Sequence, residues 1–324
     1  MNLFETASYL YDRACCGATD DNDLETVINW PNDDLPVLFG ATDMLRRRYH
    51  GNSVDPCSLM NVKSGGCSED CAFCAQSAHS ETRVDVTGLA QPSEIRQRLA
   101  EAKNRGLPFC VVSSGRRLTR SQIGSICDAL KGEPGEKHAS LGILDDTEFA
   151  MLRDAGVVCY NHNLETGSTY FPSIVSTHTW DERAATVKRA KSAGLHVCCG
   201  GIFGIGEAWN DRKQFVLELR ELDVDTVPVN FFNPVPGTRI PPPGESALDF
   251  LKIVALFRMA LPEKTVKVCG GRELHLGSLQ PLLFHAGANG YVSGGYLTTG
   301  GAGVDADDAM IASMGLVKRE LDIW

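Results

Sequence analysis

The sequence has no apolar run approaching the roughly 20 residues that a helix needs to cross a bilayer, which argues against a membrane-spanning helix in its 324 residues. It has no basic excess either: 31 Lys and Arg stand against 41 Asp and Glu, a formal net charge of −10. Nucleic acids and anionic membrane surfaces favour a basic face, so neither is expected as a partner. The opening MNLFETASYLYDRACC lacks the basic end and apolar core of a signal peptide. Twelve cysteines without an export signal point to a reducing cytoplasm, and to metal ligation before disulfides. Hydrophobic content of 43% and charged content of 22% are ordinary for a globular chain, long enough for one large domain or two small ones.

The most informative stretch is residues 61–80, NVKSGGCSEDCAFCAQSAHS. Cys67, Cys71 and Cys74 form a C-x3-C-x2-C spacing just after a strand-like run and two glycines. Paired C-x2-C motifs, the mark of a zinc knuckle, are absent there. Thiolates are the usual ligands of iron–sulfur clusters, and three on one loop can hold three irons of a cubane. With no fourth cysteine in the loop, the fourth iron is free for a small molecule, by the logic that keeps catalytic metal sites open.

Residues 1–50 read as helical and polar, broken near Pro31 and ending in Arg46, Arg47 and Arg48. They are expected to form an N-terminal helical cap on a barrel domain spanning 51–324, the latter closing with a C-terminal loop and helix. From Cys57 onward, strand-length apolar runs alternate with helical patterns. AKNRGLPFCVV (102–112), LRDAGVVCYNHN (152–163) and AKSAGLHVCCGG (190–201) each pass from a helix through a glycine into a strand. Glycine takes the left-handed conformation there without a Cβ penalty. Asp145 with Glu148, and Thr179 with Glu182, have capping-box spacing. Strands are expected near 58–63, 108–114, 138–143, 157–163, 195–202, 225–231, 265–269 and 289–293. Helices are expected at 93–105, 121–131, 145–155, 180–193, 209–222, 246–259 and 276–286. This alternation implies a parallel sheet, and eight βα units suit an α/β (β/α)8 TIM-type barrel with function at the C-terminal ends of its strands.

C-x3-C-x2-C together with its flanking text resembles the biotin synthase branch of the radical S-adenosylmethionine (SAM) superfamily, from about Cys57 to Gly301. The resemblance implies a barrel, a [4Fe–4S] cluster whose open iron chelates SAM, and a 5′-deoxyadenosyl radical that abstracts hydrogen from an unactivated carbon. The implied reaction inserts sulfur between C6 and C9 of dethiobiotin to give biotin. Phe73 takes the family's aromatic position facing the adenine. The segment GGIFGIGE from Gly200 and Gly201 onward would line the SAM site, and no acidic residue closes a Rossmann unit where a dinucleotide loop would need one. In YNHNLE (160–165), Glu165 would bind the SAM ribose and Asn163 would sit between SAM and substrate. Arg183 matches an arginine on SAM's carboxylate, for which a guanidinium is well shaped. Asn230 in VPVN matches an asparagine that hydrogen-bonds the ureido ring of dethiobiotin, and an amide supplies both donor and acceptor.

The family also carries an auxiliary cluster deep in the barrel as the proposed sulfur source, usually [2Fe–2S] on three cysteines and an arginine. Here Cys110 and Cys198 match two of those cysteines, while His138 stands at the third position and Lys267 at the arginine's. Lysine is a poor cluster ligand unless deprotonated and cannot reproduce the guanidinium fork. Strand parity places Cys269 on the face of Lys267, and Cys159 on that of Asn161 and Asn163. Cys198 and Cys199 point opposite ways. The expectation is an altered auxiliary cluster, [2Fe–2S] or larger, held by Cys57, Cys110, Cys198 and Cys269, with Cys159 or Cys199 as substitutes. Cys127 reads as a core thiol, and Thr298-Thr299-Gly300-Gly301 resembles a family loop at the barrel mouth. The GGAGVDADD text following reads as a solvated loop into the final helix.

Other superfamily members, of the hydrogenase-maturation or methylornithine-synthase kind, are the enzymatic rivals, and an iron–sulfur carrier is the non-enzymatic one. YNHN, VPVN and the barrel cysteines favour the sulfur-inserting reading, and a carrier normally saturates its irons. The resemblance further implies an electron donor such as flavodoxin or ferredoxin, and a homodimer.

Overall fold

The strands are β1 (Ser53–Lys63), β2 (Phe109–Ser113), β3 (Lys137–Ser140), β4 (Val157–Asn161), β5 (His196–Cys198), β6 (Gly201–Phe203), β7 (Thr226–Phe231), β8 (Thr265–Val268), β9 (Gly290–Val292) and β10 (Val317–Lys318). They come from a computed structural model that describes residues 1–296 and 300–321. Thr298 and Thr299, expected at the barrel mouth, lie outside the described residues, as does Trp324. Every pairing is parallel, and β9 returns to β1 through Asp55↔Gly290 and Cys57↔Val292. The fifth place in the ring is shared: β5 pairs β4 and β7, the chain breaks at Cys199 and Gly200, and β6 resumes against β7. The result is a closed α/β barrel of eight strand places, as the alternation predicts.

Three helices precede it, α1 (Leu3–Cys15), α2 (Asp21–Ile28) and α3 (Leu35–His50). Around the barrel run α4 (Pro92–Asn104), α5 (Arg120–Leu130), α6 (Asp146–Asp154), α7 (Trp180–Ser192), α8 (Trp209–Glu221), α9 (Ala247–Ala260), α10 (Arg272–Leu276), α11 (Leu282–His285) and α12 (Val304–Ser313). Their starts and stops are local chemistry. Asp145 and Thr179 each accept from the backbone N–H three residues on, and Glu148 and Glu182 reciprocate. Gly106, Gly156 and Gly194 carry φ of 65°, 85° and 78°, the left-handed turn that ends α4, α6 and α7. Leu99, Ile123, Phe149, Val187 and Phe215 point from the helices into one continuous core against the outer face of the strands.

Two expectations need correction. A single helix over 276–286 does not form: Gly277, at φ 50°, and Pro281 divide the segment into α10, a 3₁₀ turn at Gly277–Leu279, and α11. The residues Val304 to Asp308, expected in a loop, already belong to α12, whose first turn carries Asp305 and Asp307 where the helix dipole favours acids.

α1, α2 and α3 pack on α9, whose Arg258 is fully buried. Its guanidinium donates to the carbonyls of Pro262, Lys264 and Gly287, each at 2.8 Å, and to Asn289 Oδ1 at 2.6 Å. One side chain thus ties the turn before β8 to the turn before β9. β10 lies outside the ring, pairing with the first residues of β1 through Ser53↔Val317, and brings Arg319 to the barrel's base. Among the described residues no helix is long and apolar enough to cross a membrane.

Candidate functional site

The loop that follows β1 is folded by its own backbone. Gly65 and Gly66 have φ of 67° and 59°, and a Cβ on Gly65 would meet Asp85 O at 3.0 Å. Gln76 accepts from Gly65 N at 3.0 Å, Cys67 N donates to Gln76 O at 3.0 Å, and Ala78 N donates to Cys67 O at 2.8 Å. Across the mouth, Ala72 N donates to Ile174 O at 2.9 Å, while the Asp70 carboxylate accepts from Ser176 N at 2.9 Å and Thr177 N at 3.1 Å. Cys67, Cys71 and Cys74 thereby line the wall of a cavity of about 430 Å³ inside the barrel.

The donor set fits a cluster better than a lone ion. Cys67, Cys71 and Cys74 are free, half-buried thiols on one cavity wall, and three thiolates with no fourth cysteine in the loop suit a cluster with one open iron. Burial pushes the Cys71 and Cys74 thiols up from their ordinary range, and a bound metal is what holds such thiols as thiolates.

Glu165, Arg183 and Asn163 meet on the same wall. Glu165 adopts φ 72°, one of two non-glycine residues with positive φ among those described, and strain of this kind clusters at functional sites. Its carbonyl accepts from Ile202 N at 2.8 Å, and its carboxylate lies 3.3 Å from Arg183 Nη2. Burial raises the Glu165 carboxyl, with Arg183 opposing it. Arg183 Nε donates to Asn163 O at 2.5 Å, and Asn163 Oδ1 accepts from Gly200 N at 3.3 Å. Asn230 lines the cavity, with its oxygen accepting from Gly270 N and its nitrogen donating to Gly201 O, both at 3.1 Å. One N–H and one lone pair of that amide are left over. Phe73 is half-buried, packs toward Phe171, Ile174 and Phe232, and also borders the cavity.

Gly200 and Gly201 do not line the cavity; they let three backbones close on one another. A Cβ on Gly200 would sit 2.1 Å from Pro228 O, and one on Gly201 would sit 2.3 Å from Glu165 O and 2.6 Å from Phe215. Gly201→Ala is expected to lower the unfolding free energy by about 1–3 kcal/mol, the usual cost of overpacking. The check is a urea midpoint at unchanged slope; an unaltered midpoint would mean that β6 and the backbone at Glu165 part freely.

Further down the strands the remaining thiols gather. Cys57, Cys110 and Cys269 form one buried apolar group with Val112 and Val292, and Cys159 and Cys198 line the same cavity. Asn161 Nδ2 donates to Cys110 Sγ at 3.5 Å. Cys199 is turned the other way, into the core shared with the helices, as strand parity predicts, and Cys127 lies there too. Lys267 is not an open donor. Its ammonium lies 2.6 Å from Asp55 Oδ2, and although burial opposes the charge, Asp55 and the nearby Cys57 and Cys198 raise the lysine above its ordinary value. Asp55 also holds Arg319 at 2.5 Å; Arg319 pairs with Glu136, and Glu136 binds His138 Nε2 at 2.7 Å. Asp55, Glu69, Arg319 and His178 are the residues that motif reading misses: Glu69 is only an unspecified position within the cysteine spacing, the other three lie in none, and each acquires its partner only on folding.

Residues 61–219 match the Radical SAM superfamily, and residues 228–317 match the Biotin and Thiamin Synthesis associated domain. The chain is 42% identical over 324 residues to the biotin synthase of Geobacter sulfurreducens, covering 96% of this chain and 97% of that one. It is 43% identical over 294 residues to the biotin synthase of Pelobacter propionicus, covering 87% and 88%. Among solved structures it is similar to methylornithine synthase, with a TM-score of 0.84 at 21% identity, covering 97% and 98%. It is also similar to a maturase of the [FeFe]-hydrogenase, with a TM-score of 0.80 at 15% identity, covering 98% and 77%. At such identities the structural likeness speaks to the fold.

Proposed function

This chain belongs to the biotin synthase family of the radical SAM superfamily, and from that membership we infer how its residues divide the work of converting dethiobiotin to biotin. The enzyme takes a [4Fe–4S] cluster, SAM, dethiobiotin and electrons from a donor protein. Together the cluster and SAM supply a carbon-centred radical able to take hydrogen from unactivated carbon, and that chemistry is the cofactor's.

The protein binds, orients and encloses. Cys67, Cys71 and Cys74 would hold three irons and leave the fourth to SAM. Phe73 at the loop and the backbone beside Gly200 and Gly201 would border the adenosyl group, Glu165 would take the ribose, and Arg183 the carboxylate. Asn163 would lie between SAM and substrate, and the spare N–H and lone pair of Asn230 suit the ureido ring. Cys57, Cys110, Cys198 and Cys269 would hold the auxiliary cluster that supplies sulfur, with Cys159 as the alternative on the same cavity. Lys267, paired to Asp55, would stand beside that cluster as a fixed cation and not as its ligand. A flavodoxin or ferredoxin as reductant, a homodimer and a cytoplasmic setting are supported by the family resemblance.

The observation that carries this reading is that the three-thiol loop and Cys57, Cys159, Cys198 and Cys269 open on one cavity. The test is anaerobic: reconstituted protein with SAM, reductant and dethiobiotin should yield both 5′-deoxyadenosine and biotin. Deoxyadenosine without biotin would overturn the auxiliary-site assignment, and neither product from cluster-loaded protein would overturn the whole reading.

A further inference from the structure

We propose that His178, held by Glu69 from inside the cluster loop, is a positioning residue that aims Arg183 at the carboxylate of SAM. The proposal rests on the assignment of Arg183 made above, and it concerns two side chains that no motif singles out.

Hydrogen-bond chemistry dictates the arrangement. Arg183 Nη1 lies 3.2 Å from His178 Nε2. A guanidinium has donors only, so Nε2 must offer a lone pair, and the imidazole is then neutral with its proton on Nδ1. That Nδ1 is 2.5 Å from Glu69 Oε2, a carboxylate able to accept it. Burial and the Arg183 charge lower the imidazole's affinity for a second proton, against the pull of Glu69, which agrees with the neutral form. The pair is enclosed: His178 is 6% and Glu69 7% exposed. Phe171 packs edge-on to the imidazole at 5.6 Å and limits its swing.

The donor count on Arg183 gives the relay its purpose. Of five N–H groups, Nε–H goes to Asn163 O, one on Nη1 goes to His178, and one on Nη2 goes to Glu165. One N–H remains on each terminal nitrogen, the number a carboxylate takes in a bidentate pair. Glu69 lies between Cys67 and Cys71 in the sequence, so the loop that carries the cluster also orients the imidazole. The cluster that chelates one end of SAM and the arginine that receives it are thereby set by one piece of chain.

The test uses the full-length protein with its [4Fe–4S] cluster, titrated with SAM and read by the SAM-induced change in the reduced cluster's EPR signal. His178→Leu is expected to raise the SAM dissociation constant about tenfold, within the range that loss of an orienting partner costs at metal sites, at unchanged iron content. His178→Gln, whose amide can donate to Glu69 and accept from Arg183, should stay within about threefold of the parent by the same donor and acceptor count. In an Arg183→Leu background, His178→Leu should add nothing further. If Arg183→Leu alone leaves SAM affinity unchanged, the assignment of Arg183 falls. If Arg183→Leu weakens SAM and His178→Leu does not, the relay is overturned while that assignment stands. Loss of iron in both His178 variants would place the residue in folding the loop, and would overturn its positioning role.

Discussion

Cys71→Ala is expected to remove the SAM-responsive EPR signal and to bring deoxyadenosine and biotin formation to background together. Cys71 is the middle of the three thiols on the loop, and the adjacent Ala72 fixes the backbone that presents it, donating its N–H to Ile174 O at 2.9 Å and accepting from Arg239 N at 3.0 Å. Outer-shell losses at metal sites cost roughly 10–100-fold; deletion of a proposed ligand with no spare thiol in the loop should exceed that. Parallel loss of both products is diagnostic, because deoxyadenosine forms in the same hydrogen abstraction that begins the conversion of dethiobiotin, and both would depend on the cluster of this loop. Retention of SAM cleavage by Cys71→Ala protein of verified sequence would remove this loop from the catalytic centre.

The second large effect separates the two clusters. Cys269→Ala should lose the auxiliary iron and sulfide, and with them biotin, while SAM cleavage persists. Cys269 sits with Cys57 and Cys110 in one buried group, so alanine removes a donor and leaves apolar packing partners in place. Cys199→Ala is the matched control, a buried thiol on the other side of the wall, and its iron and sulfide should equal the parent's. Unchanged metal content in Cys269→Ala protein would sink the four-thiol assignment.

What the sequence discloses is what neighbouring residues decide among themselves. The C-x3-C-x2-C loop, the capping boxes at Asp145 and Thr179, and the glycines at 106, 156 and 194 are short-range devices, and each is found where its spacing places it. Strand parity separates Cys198 from Cys199 for the same reason. The failures are of two kinds. At 276–286 a helical pattern is overridden by Gly277 and Pro281, whose backbone preferences outweigh the apolar periodicity. Elsewhere the missing information lies far along the chain. β10 is only two residues long and exists because Val317 meets Ser53. Lys267 reads as an impoverished substitute for a ligand until Asp55 is placed beside it, and nothing in the sequence singles out His178 before Glu69 and Arg183 close on its two nitrogens.

The barrel's base has a consequence for the order of events during synthesis. Arg319 pairs with Asp55 and Glu136, and β9 closes the ring on β1, so the enclosing wall joins residues from opposite ends of the chain. A growing polypeptide emerges from its N-terminus and folds as it does so. The thiols at 57, 67, 71 and 74 therefore meet the surrounding medium well before the strands that will bury them have been made. During that interval they are open to iron donors and to oxidants alike, and long-range closure of this kind is slow.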